Sequence, residues 1–122
     1  MNNVSAAFRF RFENGKSVLI LGDCMQEECA HIARLYGAYL KSDCLQVAHH
    51  GLIGGSVALY RFVDPDVCFW ATRENRFLGT KKQDFQWCLG EGGCEYNAYL
   101  RDERIRKRTH YHASETVTIT FD

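Results

Sequence analysis

Ser17-Val18-Leu19-Ile20-Leu21-Gly22-Asp23 and Cys44-Leu45-Gln46-Val47-Ala48-His49-His50-Gly51 are the two stretches whose reading decides the fold. Each is a short apolar run closed by a glycine and a metal-competent side chain. Runs of four to eight apolar and β-branched residues bounded by turn residues read as buried strands. Val18 to Leu21 is apolar on both faces, so it belongs in the interior of a sheet. Between the two runs, Met25, Cys29, Ile32, Ala33, Leu35, Tyr36 and Tyr39 mostly recur at three- and four-residue steps. That spacing predicts an amphipathic helix over 25–39, with Glu27 and Glu28 in its first turns where they suit the helix dipole.

Upstream, Val4 to Phe12 alternates, with Phe8, Phe10 and Phe12 on one face and Arg9 and Arg11 on the other. Asn14-Gly15 follows, a pair that tolerates positive φ at both positions and predicts a tight turn into an antiparallel partner over 17–21. Downstream, Leu52 to Gly55 is glycine-rich, Ser56 to Phe62 reads as a short helix, Asp64-Pro65-Asp66 breaks the chain, and Val67 to Ala71 reads as another buried strand. Lys81 to Leu89 fits a helix and Gly90 to Gly93 a loop, while Tyr96 to Leu100 fits a helical turn or an irregular segment. Arg106 to His112 and Thr116 to Phe121 are expected to close the chain as a hairpin. Strands and helices mixed in this way, without repeats or a linker, predict an α/β fold of α+β sandwich type: one domain over 1–122 with a mixed sheet packed against helices.

The composition agrees with one folded unit. Hydrophobic residues make up 46% of the 122 positions and charged residues 25%, with a single proline. Fifteen basic residues balance fifteen acidic ones, so no global field draws the chain to nucleic acid or an anionic membrane. No apolar run approaches the roughly 20 residues of a membrane span, and the first residues lack a basic-then-apolar signal pattern, so the expectation is a cytoplasmic chain with no membrane segment. The six cysteines form no CxxC pair. Their positions inside apolar patterns predict small buried hydrophobes rather than disulfides or structural zinc.

Asp23, His49 and His50 are the candidate site residues. Each follows a strand, and neighbouring strands would bring one carboxylate and one or two imidazoles to the same sheet edge, a donor set that suits zinc, manganese or iron. Taken alone, Asp23 is also a ready helix cap, and a His-His pair is also ordinary polar surface. His110-Tyr111-His112 places two rings on one strand face without the residues that would complete a ligand set. Arg101, Arg104, Arg106, Lys107 and Arg108, with Tyr96, Tyr99 and Tyr111 nearby, form the candidate nucleic-acid contact. Asp102 and Glu103 within that run equally describe a solvated face.

Asn3-x-Ser5, Leu21-Gly22-Asp23, and Leu40-x-x-Asp43-x-Leu45-x-Val47-x-His49-His50-Gly51 together resemble the second half of the metallo-β-lactamase domain of ComEC-type competence proteins and related hydrolases. Phe62-x-x-Pro65-Asp66-Val67 resembles the family's next helix-to-strand step more loosely, and Tyr111-His112-Ala113 with Thr116-Val117-Thr118-Ile119-Thr120 its closing hairpin. The resemblance implies the second half of an αββα fold. It implies that Asp23 bridges two metal ions, zinc or manganese, in the complete domain and that His49 or His50 binds the second; Asp43 would fix a loop. Paired metals activate water near neutral pH and clamp the oxygens of a phosphoester.

The departures define what is missing. The family's HxHxDH run belongs to the first half of the fold and is absent, position 52 is leucine where a small hydroxyl is common, and 73–80 lacks the family's histidine-proline segment. The expectation is therefore a partial metal-dependent hydrolase, inactive and possessing little or no metal of its own, completed by an N-terminal half-domain or by self-association as a homodimer. The alternative is a non-catalytic interaction module built on the same fold.

Overall fold

The computed structural model describes residues 5–51, 54–73, 95–114 and 116–120. Five strands form one mixed sheet whose spatial order follows the chain: β1 Phe8–Arg11, β2 Ser17–Ile20, β3 Cys44–Gln46, β4 Val67–Trp70 and β5 Thr109–His112. β1 runs antiparallel to β2, and every later neighbour is parallel. The expected antiparallel hairpin forms at Asn14-Gly15, with positive φ at Gly15 but not at Asn14. Phe12 N–H donates to the Lys16 carbonyl at 2.8 Å and Gly15 N–H to the Phe12 carbonyl at 2.9 Å, with Gly15 at φ +85°.

Parallel neighbours need crossovers, and helices supply them. α1 (Gln26–Tyr36) and a 3-10 turn (Gly37–Leu40) join β2 to β3, and α2 (Val57–Val63) joins β3 to β4. A 3-10 turn (Glu95–Asn97) and α3 (Ala98–Arg101) precede β5. The expected 15-residue helix is thus broken at Gly37, whose φ of +49° ends α1. Ser56 caps α2 through its side chain, which accepts from Leu59 N–H at 3.4 Å.

Alternation sorts the sheet into two faces. Leu19, Leu45, Cys68 and Trp70 lie on one and join Cys29, Ala33, Leu59, Tyr60, Val63 and Leu100 from the helices in a single buried cluster. The helices therefore share one face. Phe8, Phe10, Val18, Ile20, Gln46 and Phe69 occupy the other, where Phe8 and Phe10 are about half exposed. Cys24, Cys29, Cys44 and Cys68 are free and buried, as the sequence led one to expect; Cys88 and Cys94 fall outside the described residues.

Two expectations fail or go untested. β5 is no arm of a terminal hairpin: it adds parallel to β4, and residues 116–120 form no strand. The Ala113 N–H reaches back to the Thr72 carbonyl at 2.9 Å, which pins the end of β5 to β4. The expected helix over 81–89 lies outside the described residues.

At the amino edge, Asp64 is a junction. Its carboxylate accepts from Arg108 Nη2 at 2.6 Å, Arg106 Nη1 at 2.9 Å and Tyr99 Oη at 3.1 Å, and Arg108 Nε donates to the Pro65 carbonyl at 2.8 Å. Burial alone would raise the Asp64 carboxyl; the Arg108 and Tyr99 hydrogen bonds and the Arg106 charge outweigh it and hold the group below its ordinary value.

Candidate functional site at the carboxyl edge of the sheet

Parallel strands deliver their C-terminal ends to one edge, so Asp23 after β2, His49 and His50 after β3, and Ala71 after β4 meet there. Asp23 Oδ1 stands 3.2 Å from His50 Nε2, both side chains about half exposed. His50 Nδ1 lies 2.8 Å from the Ala71 carbonyl oxygen, which can only accept, so Nδ1 carries a proton. The ring is thereby oriented with Nε2 toward Asp23. The His49 ring sits beside it, centroids 5.9 Å apart.

The backbone that presents these rings is unusual. His49 (φ +51°, ψ +47°) and His50 (φ +60°, ψ +14°) are both left-handed, and Gly51 follows at φ +78°. A non-glycine residue in this region costs about 1–2 kcal/mol, so two in succession need outside support. His49 N–H donates to the Gly22 carbonyl at 2.8 Å, Ala48 N–H to Tyr60 Oη at 3.2 Å, and Asn97 Nδ2 to the Gly51 carbonyl at 2.7 Å. Gly54 seals the turn: a Cβ there would fall 2.4 Å from the Cys24 carbonyl oxygen and 2.6 Å from His49 Cβ.

Gln46 was not a sequence candidate. Its Oε1 accepts from Leu21 N–H at 3.0 Å and Gly22 N–H at 2.8 Å, while Nε2 donates to the Val47 carbonyl at 2.7 Å. The side-chain amide thus stands in for a peptide rung where β2 and β3 diverge, and it fixes the Gly22-Asp23 turn. A lone amide inside the run 44–48 was the available signal. Asp23 itself caps no helix, for the N-cap of α1 is Met25.

The other sequence candidates are occupied elsewhere. Asp43 accepts from Ser17 N–H at 2.9 Å at the amino edge, away from Asp23 and the histidines. His110 Nδ1 accepts from Trp70 Nε1 at 3.0 Å on the helix-facing side of the sheet. Of the basic run, Arg106 and Arg108 are bound to Asp64, Arg106 also to Asp66, and Arg104 to Asp102. A nucleic-acid backbone would have to compete with those carboxylates for three of the five cations.

The donors at the carboxyl edge suit a metal in type and spacing. Two ligands held at roughly 2.0–2.1 Å by a tetrahedral ion stand about 3.3 Å apart, close to the 3.2 Å between Asp23 Oδ1 and His50 Nε2. An Nδ1–H bound to a carbonyl is also the usual way a ligating imidazole is oriented. In number they fall short, since a protein-held zinc takes three or four donors. Among the described residues no group of three or more His, Cys, Asp or Glu converges on one point.

Comparisons with protein-family models, curated proteins and solved structures return no match to this chain. Its functional reading rests on the geometry and on the sequence pattern.

Proposed function

We propose that this chain is the second half of a metal-dependent hydrolase domain of the metallo-β-lactamase type, contributing Asp23, His50 and His49 to a zinc or manganese site that acts on a phosphoester once the complementary half is present. The observation that carries the proposal is the Asp23–His50 pair with its oriented imidazole at 3.2 Å. With Nδ1 held on the Ala71 carbonyl, Nε2 and the Asp23 carboxylate face each other at the separation that two ligands of one cation take. A bound metal pair would supply Lewis acidity and an activated water. The chain's own residues supply the rest: Asp23 a carboxylate at the end of a rigid strand, the Ala71 carbonyl a fixed tautomer for His50, and Gln46 the alignment of the Gly22-Asp23 turn. His49 serves as a further ligand or as a proton carrier at the rim.

Titration calorimetry with zinc and manganese, on this chain and on Asp23→Ala and His50→Ala, tests the assignment. Weak binding that each substitution lowers at least about tenfold is expected, the scale of losing one metal-site partner. Affinity unchanged in both variants would reject the site. Turnover of bis-p-nitrophenyl phosphate is expected only when a half-domain carrying the HxHxDH run is supplied.

The exposed Phe8, Phe10 and Phe12 favour a second reading, a non-catalytic interaction module that keeps the fold and its docking face. Stable pairing with such a half-domain without phosphodiesterase activity, in the presence of either metal, would select it.

A further inference from the structure

β1 carries two different rows. Its phenylalanines face away from the helices, whereas Ala7, Arg9 and Arg11 lie on the helix side and stay exposed there. The result is a trough of about 490 Å³ with an aliphatic floor of Leu19, Ile32 and Leu40 and the rings of Tyr36 and Tyr39 along one wall. This volume lies within the usual range for small-ligand sites, about 300–1,000 Å³. Arg9 and Tyr39 are shared with an adjoining, more polar recess of about 430 Å³ that adds Arg11 and Lys41.

Arg9 is placed rather than free to roam. Its Nε donates to Ser42 Oγ at 3.3 Å, and its Nη2 to Ser17 Oγ at 3.2 Å and the Lys41 carbonyl at 2.8 Å; both serines are buried. Those bonds hold the fork over the junction of the two recesses and leave Nη1 uncommitted, a ready partner for a carboxylate. Arg11 makes no hydrogen bond or ion pair with a described residue. Lys41 Nζ donates to the Asp64 carbonyl, which holds its ammonium beside the recess. The one acid at the recess, Asp43, already accepts from Ser17 N–H and lies 3.8 Å from Lys16 Nζ. Tyr39 is 85% exposed, and neither it nor Tyr36 is stacked by a ring or cation among the described residues.

We infer that this trough binds a single-chain acyl carboxylate, the chain lying on Leu19, Ile32 and Leu40 beside Tyr36 and Tyr39 and the head group meeting Arg9 and Arg11. Charge complementarity selects an anion. The aliphatic floor of Leu19, Ile32 and Leu40 selects the body, for it offers apolar contact to a hydrocarbon chain and no hydrogen-bonding side chain to the polar edge of a nucleobase or peptide. The inference is independent of the carboxyl-edge site, since Asp23, His49 and His50 line neither recess.

Decanoate titrated into methyl-labelled protein in EDTA is the test. Saturable one-to-one binding that shifts the Ile32 and Leu40 methyls, but not Val18 or Ile20 on the opposite face, is expected. Decanol, and decanoate against Arg11→Gln or Arg9→Lys, should bind at least about tenfold more weakly, the scale of a lost charge-assisted bond. Tyr39→Ala, at an exposed position that leaves the core intact, should also weaken binding, and Asp23→Ala should not. No shift, shifts confined to Val18 and Ile20, adenosine 5′-monophosphate binding more tightly than decanoate, or capture by phosphatidylglycerol vesicles in place of the monomer would each overturn the assignment.

Discussion

The left-handed pair His49 and His50 shows how a short chain places two imidazoles at a sheet edge. The turn is stabilised by atoms far away in sequence, Tyr60 Oη, the Asn97 amide and the Gly22 carbonyl, and by the missing side chain at Gly54. Glycine at 49 relieves the backbone while alanine keeps the strain, so His49→Gly is expected to exceed His49→Ala in stability by about 1 kcal/mol in urea unfolding. Equal stabilities would show that the backbone relaxes once the ring is gone. At this scale the sequence was a good guide to which residues reach the edge, because strand ends and glycines are local signals. The backbone angles, and the part played by Gln46, were not legible, since both depend on partners that only the folded sheet brings near.

Elements were legible where periodicity is local, and misread where pairing is long-range. The Asn14-Gly15 hairpin, the helix after Gly22-Asp23 and the strands from 17, 44 and 67 follow from spacing and turn chemistry alone. The strand at 109–112 was expected to fold back on the alternating 116–121, yet it pairs with Val67–Trp70 instead. Alternation reports a half-buried strand and is silent about its partner. One consequence of the actual pairing is the bond from Trp70 Nε1 to His110 Nδ1. Burial, reinforced by the Arg108 charge, holds the His110 imidazole below its ordinary value near 6.5, so the folded state prefers the neutral ring. The unfolded chain binds the proton first as pH falls. His110 therefore contributes stability that is present above pH 6.5 and is lost as the pH drops from there through the lower folded-state value. Urea midpoints from pH 7.5 downward should show this loss, with a matching change in Trp70 fluorescence in a Trp87→Phe background. His110→Gln should flatten both; an unchanged pH profile in that variant would show that the stability loss lies elsewhere.

At the largest scale, the described helices lie on one side of the sheet and a phenylalanine row on the other, with Phe8 55%, Phe10 50% and Phe12 48% exposed. A row of exposed aromatic side chains on one sheet face marks a place where something docks. Sedimentation equilibrium is expected to show concentration-dependent self-association that Phe10→Lys abolishes without loss of the circular-dichroism signal. A strict monomer at every concentration would remove the homodimer from consideration and leave a heterologous half as the occupant. Among the described residues no helix is long and apolar enough to cross a membrane.

The strand order β1-β2-β3-β4-β5 has one further consequence, for synthesis on the ribosome. Each strand hydrogen-bonds to the strand translated just before it, so the sheet can lengthen at a single growing edge as the chain emerges, with no strand waiting for a partner still inside the exit tunnel. Contacts made in chain order keep loop closures short until the last, between Trp70 and Thr109. A nascent chain stalled at that point would expose the edge of β4, and it is there that a trigger for misassembly, or a chaperone, would find it.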